Sequence, residues 1–195
     1  LASGAQVSAR ALVNAAGPWV AQMASACGIE AKAGVRLVKG SHIIVEQLFA
    51  GDQAYMLQQP DKRIVFAIPY LEGLTLIGTT DVPVNSPEKA KISRKEIEYL
   101  CEAANLYFKR TIAPADVIAA YSGIRPLYDD GASDAKAVTR DYVLELDTNG
   151  PPILSVYGGK ITTARHLAAR AMAKLAPVLG MEDATDSQIE PYPGG

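Results

Sequence analysis

The pattern of apolar and polar residues predicts a buried strand, a glycine turn and a helix near the end of the chain. The apolar segment 153–157 ends at Gly158 and Gly159, and apolar positions then recur at helical spacing over 162–178 until Gly180. Glycines at such a turn let a ligand approach the backbone, and the first helical turn offers N–H donors with partial positive charge. The segment can therefore hold an anion or a cofactor oxygen. A tight turn without a ligand fits these residues as well.

A second junction of the same kind lies near the start of the chain. Residues 7–16 predict a buried strand, Gly17 ends it, and Pro18 suits the first turn of a helix that runs to Cys27 and stops at Gly28. Two strand–glycine–helix junctions on either side of a long insertion indicate the two ends of an α/β layer.

The insertion consists of short β-rich runs that are separated by turn signals, as in an antiparallel sheet. A capping box from Ser93 to Glu96 starts a helix whose apolar face is expected to pack on that sheet. The predicted fold class is therefore α/β (α+β), with a predominantly antiparallel sheet, a packed helix and strand–helix pieces of a second domain. The β-rich runs are 35–47, 54–58, 63–71, 74–80, 117–128, 137–147 and 153–157.

Composition and charge narrow the class of protein. A net charge of −2 and the lack of a long Lys/Arg run predict no binding to nucleic acid. Cys27 and Cys101 lie far apart, which predicts free thiols, and the two histidines and two cysteines lack the spacing of metal ligands. We therefore expect no metal site. The sequence has no apolar run of about 18 residues, so no membrane-spanning helix is predicted.

Two arginines and one histidine fall on apolar faces of the predicted strands, because residues two apart share a face. These residues are His42, Arg125 and Arg140. A buried guanidinium requires a negative partner, which could be an internal carboxylate or a bound phosphate or carboxylate ligand. His42 fits either a structural histidine or a general base. The candidate internal partners of the arginines are Asp129, Asp130 and Asp141.

Six segments, in this order, resemble one family of flavoproteins. They are VNAAGPWV (13–20), KGSHIIV (39–45), IGTTD (77–81), YSGIRPL (121–127), TRDY (139–142) and YGGKITTAR (157–165). Together they resemble the FAD-dependent, quinone-linked glycerol-3-phosphate dehydrogenases, which belong to the group built like D-amino-acid oxidase. The resemblance covers nearly the whole chain.

The resemblance implies oxidation of sn-glycerol 3-phosphate to dihydroxyacetone phosphate, with hydride passing to FAD and electrons passing on to a membrane quinone. It implies that Arg125 and Arg140 bind the substrate phosphate, that Arg125 is also catalytic, and that His42 is a base at the reacting hydroxyl. Lys160 and the helix start would stabilise the negative charge of reduced flavin. The implied cofactor-binding residues are Ala16, Gly17, Gly158, Gly159, Lys160, Ile161 and Thr162.

The sequence departs from the family in one large respect. Family members begin with a glycine-rich βαβ unit that holds the FAD pyrophosphate, and residues 1–195 contain no Gly-x-Gly-x-x-Gly. We therefore expect an internal fragment that binds FAD weakly or not at all and is inactive alone. The expected parts are 1–34 (partial FAD domain), 35–147 (substrate-binding domain), 148–180 (returning FAD-domain piece) and 181–195 (linker to a C-terminal domain).

The resemblance also implies a cytoplasmic parent protein that is peripheral on the inner face of the cytoplasmic membrane, and a homodimer is one assembly that we consider. Two alternatives remain open. A related FAD-dependent enzyme for a 2-hydroxy acid or an amine would also use paired arginines, because a carboxylate satisfies them as well as a phosphate. The isolated chain could instead be an inactive binding or interaction module.

Overall fold

The computed structural model describes residues 4–29, 34–129 and 142–181, and the chain divides into two units. The first unit comprises Leu1–Arg36 and Pro126–Gly195, and the second comprises Leu37–Arg125. The elements in chain order are β1 (Leu12–Asn14), α1 (Val20–Ala26), β2 (Gly34–Glu46), β3 (Tyr55–Gln58), β4 (Ile64–Tyr70), β5 (Leu74–Gly78), β6 (Val82–Val84), α2 (Arg94–Asn105), β7 (Ala119–Asp129), β8 (Val143–Asp147), β9 (Ile153–Tyr157) and α3 (Ala164–Leu179).

The first unit is built on a three-stranded sheet in the order β1-β9-β8. Strands β1 and β9 are parallel, and β8 is antiparallel to β9. Helix α3 covers this sheet, and its Leu175 packs in a cluster with Leu154 and Val156 of β9. The helix ends at Gly180, which adopts the left-handed conformation (φ 64°) that suits glycine. The predicted strand, glycine turn and helix near the end of the chain are all present.

The second unit is built on an antiparallel sheet in the order β3-β4-β5-β2-β6, and β7 pairs with β2. Helix α2 packs on one face of the sheet, where Leu100 and Ala104 of the helix contact a cluster that includes Ile43 and Ile77. Leu100 is fully buried, which is worth about 2 kcal/mol. The predicted fold class, a mainly antiparallel sheet with a packed helix and strand–helix pieces of a second domain, is confirmed.

Helix α2 begins where the sequence predicts. The Ser93 side chain accepts from the backbone N–H of Glu96, and the Glu96 carboxylate accepts from the backbone N–H of Ser93 at 2.8 Å. Reciprocal bonds of this kind satisfy two of the N–H groups that a helix start leaves without partners.

Some predicted boundaries differ from the structure. Strand β1 has three residues, where the sequence pattern predicts a strand over 7–16, and β6 lies outside all of the predicted β-rich runs. The described residues 126–129 and 142–147, which the sequence assigns to the substrate-binding domain, group with the first unit by their contacts. The assignment of the units to FAD and substrate stays a prediction. Arg140, Asp130 and Asp141 lie outside the described residues.

Candidate functional site

His42 and Arg125 lie in the second unit, on the face of the sheet opposite helix α2. In β2 the neighbours Ile43 and Val45 point into the core beside α2, so His42 points the other way because adjacent side chains alternate. Arg125 extends from β7, which pairs with β2. The positive charge of Arg125 is near enough to His42 to lower the pKa of its imidazole. The structure therefore brings these two predicted site residues together.

The His42 imidazole is held by contacts with its ring faces and edges. It stacks on Tyr121 with 4.9 Å between ring centroids and 10° between ring planes. It also covers Gly78, where an added Cβ would lie 2.7 Å from Nε2 of the imidazole. Burial first, and the charge of Arg125 second, lower the pKa of His42 from its usual value of 6.5. The imidazole is therefore neutral at pH 7, the form that accepts a proton.

One nitrogen of this imidazole has no hydrogen bond. Nδ1 of His42 is buried and lacks a partner among the described residues. Most buried polar side-chain atoms are hydrogen-bonded. The described part of the chain therefore leaves Nδ1 without a hydrogen bond and closed to solvent, so a ligand hydroxyl would reach this nitrogen only after the ring moves.

The guanidinium of Arg125 is already paired within the chain. Its Nη1 forms an ion pair with Asp81, and its Nη2 donates to Oγ1 of Thr79 at 2.9 Å. It also lies over Gly40, where an added Cβ would collide with the guanidinium. A guanidinium has five N–H donors, so two side-chain partners among the described residues do not exhaust its binding capacity.

The prediction of a buried Arg125 is wrong. Its side chain is 41% exposed and that of Asp81 is 49% exposed, so burial does not force a ligand on this arginine. The observed partner, Asp81, is not among the three aspartates named from the sequence. Of those three, Asp129 pairs with Arg36 at 3.2 Å, and Asp130 and Asp141 lie outside the described residues. Asp81 and Thr79 were missed as functional residues, although both lie in the segment IGTTD (77–81) that carries the resemblance.

In the first unit, the two strand–glycine–helix junctions are neighbours. Leu12 of β1 is aligned with Ile153 of β9 in a parallel pair, so both strands end at the same edge of the sheet. Ligands of α/β proteins bind at this carboxyl edge. The side chain of Asn14 in β1 links this edge to the start of α1 and to β9, because its Nδ2 donates to the carbonyl of Val20 at 2.9 Å and to Oγ of Ser155 at 3.4 Å.

A cavity of about 390 Å³ opens at these junctions. Gly17 and Gly158, two of the predicted cofactor-binding residues, line it together with apolar side chains of α3. The lining residues are Val13, Ala15, Gly17, Val156, Gly158, Leu167, Ala168, Ala171, Met172 and Leu175. Ala16 and Gly159 are the sequence neighbours of the two lining glycines.

The loop from Gly158 to Thr162 turns sharply into α3. Gly158 and Gly159 have φ angles of 75° and 103°, which side chains disfavour, and a Cβ at Gly159 would lie 2.9 Å from Cδ1 of Leu167. Lys160 is exposed, and Ile161, at the start of a 3-10 turn, is 93% exposed. An open helix start beside a basic side chain suits a negatively charged group. The loop therefore offers a position for an anion, whereas the cavity beside it is lined by glycines and apolar side chains.

An antiparallel sheet that presents an imidazole and a guanidinium, with a separate α/β layer for a dinucleotide, is typical of cofactor-dependent oxidoreductases. The family model of the FAD dependent oxidoreductases (DAO) matches residues 1–165. The chain belongs to this family. The predicted flavoprotein group, the enzyme class and FAD as the family's cofactor are thereby confirmed.

Relatives with assigned activities match almost the whole chain. Glycerol-3-phosphate dehydrogenase from Pseudomonas aeruginosa PAO1 is 48% identical over 194 residues, which are 97% of this chain and 38% of the relative. D-erythritol 1-phosphate dehydrogenase from Brucella abortus strain 2308 is 46% identical over 190 residues, 96% of this chain and 38% of the relative. The chain thus spans little more than a third of the length of these relatives.

A solved structure supports the fold at the level of the whole chain. The glycerol-3-phosphate dehydrogenase from Bacillus halodurans, complexed with FAD, has a TM-score of 0.77 and 29% identity, and the match covers 93% of this chain and 34% of that protein.

Proposed function

We propose that this chain supplies the substrate-binding sheet and part of the flavin-binding layer of an FAD-dependent dehydrogenase that oxidises sn-glycerol 3-phosphate to dihydroxyacetone phosphate. The observation that carries the proposal is the pairing of a neutral imidazole with an exposed guanidinium on one sheet face. An alcohol dehydrogenation needs a group that accepts the hydroxyl proton, and a phosphorylated substrate needs a cation. The 48% identity to a glycerol-3-phosphate dehydrogenase supports this substrate.

Each of the two residues has a defined task in this proposal. His42 accepts the proton of the substrate hydroxyl at carbon 2, and its lowered pKa keeps it neutral until then. Arg125 binds negative charge on the substrate, and Asp81 and Thr79 keep its guanidinium oriented. Arg140 is the second phosphate-binding cation of the proposal. When bound, FAD supplies the acceptor for the hydride that leaves carbon 2.

The cofactor-binding part of the proposal rests on the two glycine junctions of the first unit. Ala16 and Gly17 border the dinucleotide portion, and the segment from Gly158 to Thr162 borders the flavin ring. Both junctions border the 390 Å³ cavity at the carboxyl edge of β1 and β9, through Gly17 and Gly158. We propose residues 1–34 and 148–180 as the FAD-binding pieces, 35–147 as the substrate-binding part and 181–195 as a linker. On its own the chain is expected to bind FAD weakly or not at all and to be inactive.

A second phosphorylated polyol is the main competing substrate. The D-erythritol 1-phosphate dehydrogenase of Brucella abortus is 46% identical over a similar span, and its named substrate carries the same phosphate and hydroxyl groups. His42 and Arg125 would have the same tasks with either compound. Residues that contact the additional carbon of the longer substrate would distinguish the two.

The proposal extends to the electron acceptor and the location of the full-length protein. The six family-like segments support transfer of electrons to quinone and peripheral association with the inner face of the cytoplasmic membrane, and a homodimer is the assembly to be tested. Among the described helices, none is long and apolar enough to cross a membrane.

Turnover assays on the full-length holoprotein test the substrate. Glycerol 3-phosphate, D-erythritol 1-phosphate and a 2-hydroxy acid are each offered with an artificial electron acceptor. We expect the highest kcat/KM with glycerol 3-phosphate, while a preference for erythritol phosphate would select the second candidate. Activity on hydroxy acids alone would refute phosphate recognition.

In the same assay His42→Ala should lower kcat more than it raises KM, and an unchanged kcat would remove His42 from the mechanism.

A further inference from the structure

The carboxylate of Glu96 accepts more hydrogen bonds than the start of a helix requires. Besides the backbone and hydroxyl donors of Ser93, its Oε1 accepts from Oγ of Ser41 and from Oγ1 of Thr80, both at 2.8 Å. Nζ of Lys39 lies 2.7 Å from Oε2. Glu96 is 5% exposed. A capping box uses only the Ser93 contacts, so the other three donors require a separate explanation.

Two of these donors are sequence neighbours of residues at the candidate site. Ser41 precedes His42 in β2, and adjacent side chains of a strand point to opposite faces of the sheet. Thr80 lies between Thr79 and Asp81, which hold the guanidinium on the other face. Glu96 therefore binds, from the α2 side, the two backbone segments whose next side chains form the site.

A third strand joins the same set of contacts. Oγ of Ser122 in β7 lies 2.8 Å from Oγ of Ser41, and the residue before it, Tyr121, stacks on His42. Ser41 and Thr80 are also joined through the Thr80 hydroxyl, which accepts from the Ser41 backbone N–H at 3.0 Å. We use the name Glu96 cluster for Lys39, Ser41, Thr80, Ser93, Glu96 and Ser122.

The charge of Glu96 is stable over the pH range in which enzymes work. Burial alone raises its pKa, but hydrogen bonds from Lys39, Ser93 and Ser41 outweigh burial and lower the pKa to about 2. Buried ion pairs often contribute little net stability, and one of their uses is to fix a single arrangement. Hydrogen bonds to a charged group are stronger and shorter than neutral ones, so this carboxylate can fix the spacing of three strands.

We infer that Glu96 is a positioning residue for His42 and Arg125: by binding Ser41 and Thr80 from the opposite face, it fixes the β2 segment that carries His42 against the segment whose Thr79 and Asp81 hold the guanidinium of Arg125. This inference rests on the proposed function. Its consequence is that loss of a hydroxyl in the Glu96 cluster changes proton acceptance by His42 although the lost group never meets the substrate.

The sharpest variants are Ser41→Ala and Thr80→Val in the full-length holoprotein. Each removes one hydroxyl from the α2 side of the sheet and leaves the Lys39–Glu96 ion pair and the capping box in place. We expect kcat to fall on the order of tenfold with a smaller change in KM, since misplacement of a catalytic group lowers the rate more than binding. We also expect the acid limb of the pH–rate profile to move.

A matched control and a conservative rescue accompany these variants. Asn105→Ala removes the hydrogen bonds to Ile112 at the other end of α2, so it weakens packing without touching the Glu96 cluster, and it should leave kcat and the acid limb unchanged. Glu96→Gln keeps an acceptor for the helix start and can bond both hydroxyls, so it should retain more activity than Glu96→Ala.

The pKa of His42 can be measured by NMR with ¹⁵N-labelled histidine. This measurement detects a changed position of His42 without any need for turnover. The resonance is assigned through its loss in His42→Ala, and it should titrate differently in Ser41→Ala and Thr80→Val than in Asn105→Ala. If both hydroxyl variants keep the wild-type kcat, acid limb and His42 titration, the positioning role is refuted. If His42→Ala itself keeps wild-type turnover, His42 has no catalytic role to be positioned, and this part of the proposed function fails before the inference is tested.

Discussion

The imidazole of His42 occupies the space that a side chain at Gly78 would take. The two residues are direct cross-strand partners in β2 and β5, and a Cβ built on Gly78 would lie 2.5 Å from Cγ of His42. Two carbon atoms that are not bonded to each other do not pack this closely. The His42 ring therefore packs directly against the α-carbon of Gly78, and Tyr121 stacks on the same ring.

Gly78→Ala should displace the His42 ring and lower kcat of the full-length protein on the order of tenfold or more. The protein should still fold, because a methyl group is small and the ring can rotate away. Gly150→Ala is the control, since a Cβ at Gly150 meets nothing within 4 Å. Steady-state kinetics on both variants checks the prediction, and equal activities would mean that the position of His42 is unimportant.

Arg125→Gln should act on substrate binding and on the protonation of His42 together. Loss of the cation removes one of the two causes that lower the pKa of His42, so the acid limb of the pH–rate profile should shift to higher pH. KM for the phosphorylated substrate should rise about tenfold or more, as expected for loss of a charged hydrogen-bond donor.

Arg110→Gln is the matched control for Arg125→Gln. It removes a different arginine of the second unit, whose guanidinium pairs with Glu46 at 2.5 Å, and it should change neither quantity. An acid limb that stays in place in Arg125→Gln would show that the charge of Arg125 does not reach His42.

Gly159→Ala should reduce the FAD content of the purified full-length protein. The φ angle of 103° is unfavourable for alanine, and the new Cβ would lie 2.9 Å from Leu167. Either effect reshapes the loop that leads into α3. Flavin absorbance per protein measures the result, with Gly150→Ala again as control. If Gly159→Ala retained the wild-type content of FAD, the conformation of this loop would not be needed for cofactor binding.

Acid should destabilise the 195-residue chain through Glu96. The folded pKa of about 2 lies below the usual 4.5, so the stabilisation is present above about pH 4.5 and is lost as the pH falls towards 2. The full shift corresponds to about 3 kcal/mol. Urea unfolding between pH 5 and pH 3 should show somewhat more than half of this loss, about 2 kcal/mol, in the wild type and a smaller loss in Glu96→Gln. If the free energy of unfolding fell by the same amount in the wild type and in Glu96→Gln, the lowered pKa of Glu96 would be contradicted.

Local signals in the sequence predict most of the secondary structure. The capping box at Ser93, the glycine stop at Gly180 and the apolar strand that became β9 each depend on a few adjacent residues, and all three are present. Strand β6 was missed because it has three residues and includes Pro83, and its pairing with β2 is a long-range contact. Such a segment has no periodicity of its own.

The candidate site shows the same division between local and long-range information. Alternation along the strands predicts that His42 and Arg125 share the apolar side of their strands, but it cannot show which carboxylate lies across the sheet. Asp81 is separated from Arg125 by 44 positions in the sequence. The exposure of Arg125 was misjudged for a related reason, since the pattern of one strand does not reveal how much of a sheet face its neighbours cover.

The ion pair between Arg125 and Asp81 has a consequence for selectivity. An anion that approaches Arg125 meets a guanidinium that is already paired with a carboxylate and oriented, so it gains less from charge alone than it would from an isolated cation. A simple anion such as chloride therefore competes poorly at this position. Under the proposed function, a compound that also places a hydroxyl at His42 would gain from both groups, and we therefore expect a bifunctional substrate to bind better than free phosphate.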